Sequence, residues 1–250
     1  MGRILITGAG ARIGQLLAIA LAEAGHHIIV HYRSSEKGAT ETLRQIESIG
    51  GSGELIQADL ESHEQCTSLL PKIATNTGPV QGLINNASQF ENDHLDDMTS
   101  DDWDRHFAIN AKAPVFLTQG FAAQLPADQF GHVINLLDQR LSRPHPAFFS
   151  YTLSKAALSA ATSTMAQALA PRIQVNAVAP GPTLQGARQS EADFAAQQSQ
   201  SLLEYGSPPA EIIKAVQYLL QAKAITGQTL IVDGGQHLAW QHNTGAKISE

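Results

Sequence analysis

The chain has 250 residues, 43% of them hydrophobic and 16% charged, with a formal net charge of −7. That is apolar matter enough for one continuous core, at a charge content that argues against disorder. Scattered Lys and Arg in an acidic chain leave no nucleic-acid footprint, no run of about 18 apolar residues offers a membrane span, and a single cysteine, Cys66, excludes an intrachain disulfide.

Apolar runs of strand length alternate with helical periodicity, which reads as repeated βαβ units. Strands are expected at 3–7, 27–32, 54–58, 81–85, 131–136, 172–177 and 228–232, and helices at 13–24, 36–49, 62–76, 101–124, 149–170 and 208–222. Gly25, Gly50-Gly51 and Gly78-Pro79 stop three of these helices. The expected fold is a Rossmann-type, doubly wound, seven-stranded parallel sheet in one domain over 1–250. The first strand begins almost at Met1, leaving no room for a signal peptide, and the single cysteine suits a reducing compartment, so a cytoplasmic protein is expected. The ten histidines lack metal-site spacing, so no metal is expected.

The first strand runs into Thr7-Gly8-Ala9-Gly10-Ala11-Arg12-Ile13-Gly14. A glycine-rich turn between a strand and a helix lets backbone N–H groups approach a pyrophosphate, and the helix end adds partial positive charge. Arg12 adds a cation. The second strand ends His31-Tyr32-Arg33-Ser34, with no acid until Glu36. An acid here would hold the ribose 2′-hydroxyl of NAD; Arg33 and Ser34 point instead to the 2′-phosphate of NADP(H). Asp59, after the third strand, can accept from an adenine amino group or cap the next helix. Asn85-Asn86-Ala87-Ser88 ends the fourth strand, where small and amide residues can pack under a cofactor or simply form a turn.

Within the helix expected at 101–124, Pro114 cannot donate to the carbonyl of Asn110, which is left to hold a water near Lys155. Tyr151 and Lys155 stand four apart and share a helix face, where an ammonium lowers a phenol's pKa and suits it to proton transfer. The polar, glutamine-rich stretch 182–209 interrupts the alternation and reads either as a surface insertion or as a lid over the carboxyl ends of the strands.

Together these motifs resemble the short-chain dehydrogenase/reductase family over essentially the whole chain: the Thr7-Gly8 loop, Asn85-Asn86-Ala87, Asn110, Tyr151-x-x-x-Lys155, Pro180-Gly181 and Val232-Asp233-Gly234-Gly235. Three departures stand out. Arg12 replaces the middle glycine of the loop, Ser88 replaces the glycine after Asn-Asn-Ala, and Asp138 stands where the substrate-binding serine is expected. Each is similar to the pteridine reductase branch, which uses NADPH.

The resemblance implies that Tyr151 is the proton donor, that Lys155 binds the nicotinamide ribose, and that Asn110 holds a relay water, with Asp138 completing the catalytic set. It implies NADP(H) contacts from Gly8, Arg12, Ile13, Tyr32, Arg33, Ser34, Asp59, Leu60, Asn86, Ala87, Ser88, Tyr151, Lys155, Pro180, Gly181 and Thr183. Substrate contacts are implied for Arg12, Ser88, Phe90, Asp138 and Tyr151, with Phe90 stacking the pterin ring. A carboxylate at 138 opposes ionisation of Tyr151 and keeps the phenol loaded with its proton. The function expected is reduction of a dihydrobiopterin-like compound or dihydrofolate. A general carbonyl reductase or alcohol dehydrogenase on the same scaffold, and an NADP(H) sensor without turnover, stand as alternatives. A homotetramer is implied, with helices 149–170 and 101–124 at one interface, and neither nucleic acid nor membrane as partner.

Overall fold

The fold is seen in a computed structural model that describes residues 2–185, 190–199 and 201–239. Seven strands form one sheet in the order β3-β2-β1-β4-β5-β6-β7. They are β1 Arg3–Ile6, β2 His27–Tyr32, β3 Ser52–Gln57, β4 Gly82–Asn85, β5 Gly131–Leu136, β6 Ile173–Pro180 and β7 Thr229–Val232. Every neighbouring pair is parallel. The chain order reverses between β1 and β4, so a crevice opens at their carboxyl ends, where open α/β sheets bind ligands.

The helices are α1 Arg12–Glu23, α2 Glu36–Ser48, α3 His63–Thr77, α4 Ser100–Phe107, α5 Ala113–Gln124, α6 Phe149–Leu169, α7 Glu191–Ser199 and α8 Pro209–Gln221. Alternation along the strands feeds two cores. Ile4, Ile6, Ile28 and Val30 pack under Leu17 and Leu21 of α1 and Val216 of α8. Leu5, Ile29, Leu83 and Val133 turn the other way, onto Leu69 and Leu70 of α3 and Leu117 and Phe121 of α5. Both sheet faces are covered, as a parallel sheet requires.

Three elements differ from expectation. The helix expected at 101–124 is α4 and α5 joined by a π turn over Ala108–Lys112, closed by the Ala113 N–H on the Ala108 carbonyl. Pro114 has no N–H to continue the α register, and the wider turn takes up the mismatch. Strand β6 runs on to Pro180 because its partner β7 pairs as far as Val232. Within 182–209, the described residues include a helix, α7, capped by Ser190, whose hydroxyl accepts the Asp193 N–H at 3.1 Å and donates to Asp193 Oδ2 at 2.6 Å. Residues 186–189 and 200 of that stretch lie outside the described residues.

Candidate active site

The glycine-rich loop is clamped from below by the strands beside it. Thr7 Oγ1 accepts the N–H groups of Asn86 at 2.9 Å and Ala87 at 3.0 Å. The Asn86 amide donates to the carbonyls of Thr7 at 2.9 Å and Gly8 at 3.2 Å. Gly8 has φ +65°, and a Cβ on Gly14 would meet the Gly8 carbonyl oxygen at 2.3 Å, so both positions need glycine. Arg12 also has φ +51°, a conformation glycine adopts without strain. Its guanidinium donates to the carbonyls of Gln185 at 3.0 Å and Leu184 at 3.2 Å, tying the loop to the start of the lid stretch.

His31 escapes notice in the sequence. It is buried beneath the loop, where Nδ1 accepts the Gly8 N–H at 3.1 Å and Nε2 reaches the Ala58 carbonyl at 3.1 Å. A carbonyl accepts only, so the proton sits on Nε2 and the ring is neutral. Burial pushes its pKa down to about 4.

A cavity of about 1060 Å³ runs from this loop along the strand ends to α6 and α7. At the loop end it is lined by Gly8, Arg12, Ile13, Arg33, Asp59 and Leu60, then by Asn86, Ala87 and Ser88 below, and by Pro180, Gly181 and Thr183 opposite. Arg33 pairs Glu61 at 3.8 Å across half-exposed side chains, a weak surface contact that leaves the guanidinium available. Asp59 does not cap α3; its carboxylate accepts the Glu61 N–H at 3.0 Å while Ser62 caps the helix.

Two expected cofactor contacts fall elsewhere. Tyr32 packs on the core under α1, because alternation on β2 turns it to the face opposite His31 and Arg33. Ser34 is exposed and lies outside the cavity lining.

At the other end the Tyr151 hydroxyl donates to Asp138 Oδ2 at 2.9 Å. Arg140 Nη1 lies 3.5 Å from the same oxygen, and the Arg140 N–H donates to Asp138 Oδ1 at 2.8 Å. Burial, then the charge of Asp138 and its hydrogen bond, raise the Tyr151 pKa well above the ordinary phenol value; Arg140 and the Ser88 hydroxyl offset part of this. The direction is opposite to the lowering expected from Lys155. Burial and Asp138 set the direction, while Lys155 Nζ stands 5.9 Å from the Tyr151 ring centre and donates to the Leu136 carbonyl at 2.7 Å. Desolvation brings Lys155 itself down to about 8, with Asp138 acting against it.

Phe90 is 45% exposed in the cavity, so it is no core aromatic. Its ring stacks on Phe148 at 4.5 Å and 8°, and meets Tyr151 edge-on at 4.7 Å. Arg140 lies over both phenylalanine rings, at 4.7 Å from Phe148 and 5.5 Å from Phe90. Phe148 sits at φ +59° directly before α6, a strained place for an aromatic. The Asp138–Arg140 pair, two residues apart, is a local pairing the sequence offers, whereas Phe148 is marked by no local pattern.

Asn110 does not reach the cavity lining. Its side chain is fully occupied, accepting from Ser88 Oγ at 3.1 Å and the Gln89 N–H at 2.9 Å, and donating to the Gln89 carbonyl at 2.9 Å and Ser154 Oγ at 3.0 Å. It thereby fixes the Ser88 loop against α6.

A dinucleotide fits the loop end on this geometry. Ala11, before α1, offers no side-chain acceptor, and the first turn of α1 holds no acid. Those first-turn residues line the cavity, and N–H groups at a helix start are donors for an anion. Among the described residues no group of three His, Cys, Asp or Glu side chains could hold a metal ion, and no helix is long and apolar enough to cross a membrane.

The sequence profile described as short chain dehydrogenase matches residues 3–195. A crystal structure titled as the FolM alternative dihydrofolate reductase 1 of Brucella canis complexed with NADP is 42% identical, with a TM-score of 0.93 over 98% of this chain and 97% of that one. The uncharacterized oxidoreductase YohF of Escherichia coli is 34% identical over 242 residues, 94% of this chain and 95% of its own. A 3-oxoacyl-[acyl-carrier-protein] reductase, FabG, of Staphylococcus epidermidis is 30% identical over 94% of this chain and 98% of its own.

Proposed function

The chain belongs to the short-chain dehydrogenase family, and from that premise we propose that it is an NADPH-dependent reductase of a pterin-type substrate, dihydrobiopterin-like or dihydrofolate. The observation that carries the reading is the 2.9 Å hydrogen bond from Tyr151 to Asp138 beside an exposed, stacked phenylalanine pair. A flat ring rich in donors and acceptors suits an aromatic wall with a few polar groups at its edge. The 42% identical relative is an alternative dihydrofolate reductase crystallised with NADP, which supports both the substrate class and the cofactor.

NADPH, when bound, supplies a hydride. Arg33 and Arg12 would hold its phosphates, the first turn of α1 its pyrophosphate, and Lys155 its nicotinamide ribose. The chain handles the proton. Burial, with the Asp138 carboxylate beside it, raises the Tyr151 pKa and holds the phenol in its protonated form, so the acid is loaded before the substrate arrives. Transfer waits on a ring nitrogen that becomes basic as the neighbouring carbon is reduced. Phe90 stacks the substrate ring, and Ser88 and Arg12 contact its polar edge. Asn110, behind the cavity wall, fixes the Ser88 loop with its side chain, and its carbonyl, four residues before Pro114, is where a relay water would sit.

The second reading is a carbonyl reductase, favoured by the 30% identical 3-oxoacyl reductase. Initial rates of NADPH and NADH oxidation with dihydrobiopterin, dihydrofolate and a panel of ketones separate the two. Pterin turnover with NADPH supports the first reading; ketone turnover with inert pterins supports the second; NADPH binding without turnover of either supports a sensor. We further propose a cytoplasmic homotetramer, with α5 and α6 at one interface and the stretch 182–209 as a substrate lid.

A further inference from the structure

Helix α6 carries Tyr151 and Lys155, yet the residues before it cannot cap it. Phe148 precedes it in a left-handed conformation and has no side-chain acceptor. The three N–H groups that open the helix are satisfied from far away in the chain. Phe148 N–H donates to Asn92 Oδ1 at 3.3 Å, Phe149 N–H to the Asp93 carbonyl at 3.2 Å, and Ser150 N–H to both Asp93 carboxylate oxygens at 3.2 and 3.3 Å. A carboxylate at a helix N-terminus also opposes the helix dipole's positive end.

The same carboxylate ends a buried chain of hydrogen bonds. Asp93, His106 and Ser150 are 4%, 1% and 0% exposed. The Glu91 N–H, which can only donate, points at His106 Nε2 at 3.1 Å. Nδ1 of the neutral ring therefore carries the proton and donates to Ser150 Oγ at 2.6 Å, and the Ser150 hydroxyl donates to Asp93 Oδ2. Every link points the same way, and the far end must be an acceptor. The order excludes a nucleophile triad, because the serine gives its proton to the carboxylate and not to the histidine.

We propose that Asp93, Ser150 and His106 form a latch that positions Tyr151 for proton transfer by locking the first turn of α6 to α4 and to the loop 89–93. The latch joins the two frames that carry the proposed proton machinery. His106 lies on α4, which leads through the π turn to Asn110; Ser150 is the residue before Tyr151; and the loop between carries Phe90. The three are positioning residues, since none lines the cavity. The inference rests on the reading of Tyr151 as proton donor.

The test uses two variants of the full chain. Asp93→Asn keeps the shape but removes the charge and leaves one acceptor oxygen where the Ser150 N–H and hydroxyl share two; Ser150→Ala cuts the wire and leaves the N–H cap in place. The loss of a buried hydrogen bond predicts a kcat about tenfold lower in each, on whichever pterin or ketone the wild type reduces, with the NADPH dissociation constant within about twofold of wild type. Hydrogen exchange predicts amides 148–152 opening at least about fivefold faster in Asp93→Asn, with the amides of β1, β4 and β5 unchanged. Unchanged kcat in both variants overturns the latch, as does a parallel collapse of NADPH affinity and kcat. Should Asp93→Asn fail to fold, Ser150→Ala decides alone. Should the wild type reduce nothing, the proposed function fails, and the exchange rates in the two variants decide the latch.

Discussion

The Tyr151 phenol and the Asp138 carboxylate lie 2.9 Å apart, joined by a hydrogen bond whose acceptor oxygen is also 3.5 Å from the Arg140 guanidinium. Arg140 thus touches the carboxylate and, through its stacking, the aromatic wall as well. Arg140→Gln removes the charge pair and the cation–π contact, the latter worth about 0.5–2 kcal/mol when partly desolvated. The expected result is a KM for the pterin raised about five- to tenfold, with NADPH binding unaffected, measured by steady-state kinetics and cofactor titration. Unaltered pterin KM would remove Arg140 from the substrate wall.

His31 gives the fold a pH dependence. Its pKa is about 4 folded against 6.5 unfolded, so between those values the unfolded chain binds more protons. The stability it contributes is complete above pH 6.5 and is lost as pH falls toward 4, by about 3 kcal/mol in all. His26, His106 and His132 are shifted in the same direction by burial, so the measurement is a difference. Urea unfolding from pH 7 to 4 should show a shallower fall for His31→Leu than for wild type. That variant should also lose about 1–3 kcal/mol at pH 7, because the Gly8 N–H is left without its partner. Parallel curves would contradict the assignment.

Lys155 gives the activity a pH dependence. Burial brings its ammonium down to about 8, so it is charged below that pH and neutral above it. As kcat/KM reports the free enzyme, its value for NADPH should fall as pH rises through about 8. Lys155→Met should abolish that limb together with most of the activity. A profile flat to pH 10 would show that Lys155 keeps its charge.

Much of this was legible in the chain. The order of strands and helices, the Thr7-Gly8 loop and the Tyr151–Lys155 pair all follow from local patterns, because glycine turns and helical spacing are local devices. Tyr32 shows a local rule overlooked: β2 alternates, and if Arg33 faces the cavity then Tyr32 faces the core. Helix α7 also had a signal, the Ser190 and Asp193 spacing of a helix cap. The rest was not local. His31 meets Gly8 across 23 residues and Ser150 meets Asp93 across 57. Nothing near Phe148 announces that α6 borrows its cap, and while Arg140 is a local partner for Asp138, its place over the aromatic wall comes only from where β5 and α6 bring Phe148. The π turn needed Pro114 weighed as a change of register as well as a lost donor.

The proposed homotetramer places the outer face of α6 at an interface. Leu153, Ala156, Ala157 and Ala160 are exposed there, and Val115 is exposed on α5. Small side chains let helices of two protomers approach closely, so Ala157→Arg with Ala160→Glu should shift the sedimentation coefficient to that of a smaller species at micromolar concentration. A wild type that already sediments as a monomer would refute the tetramer.

If the Asp138–Tyr151 pair suits this site to pterin reduction, the Asp138→Ser variant should separate pterins from ketones. Compare kcat/KM for dihydrobiopterin and for a ketone in wild type and variant, both with NADPH. Loss of a group acting in proton transfer is worth about 10²–10⁴ in rate. Pterin turnover should fall at least about a hundredfold while ketone turnover is kept or rises. Pterin turnover that survives the substitution unchanged would contradict that role for the pair.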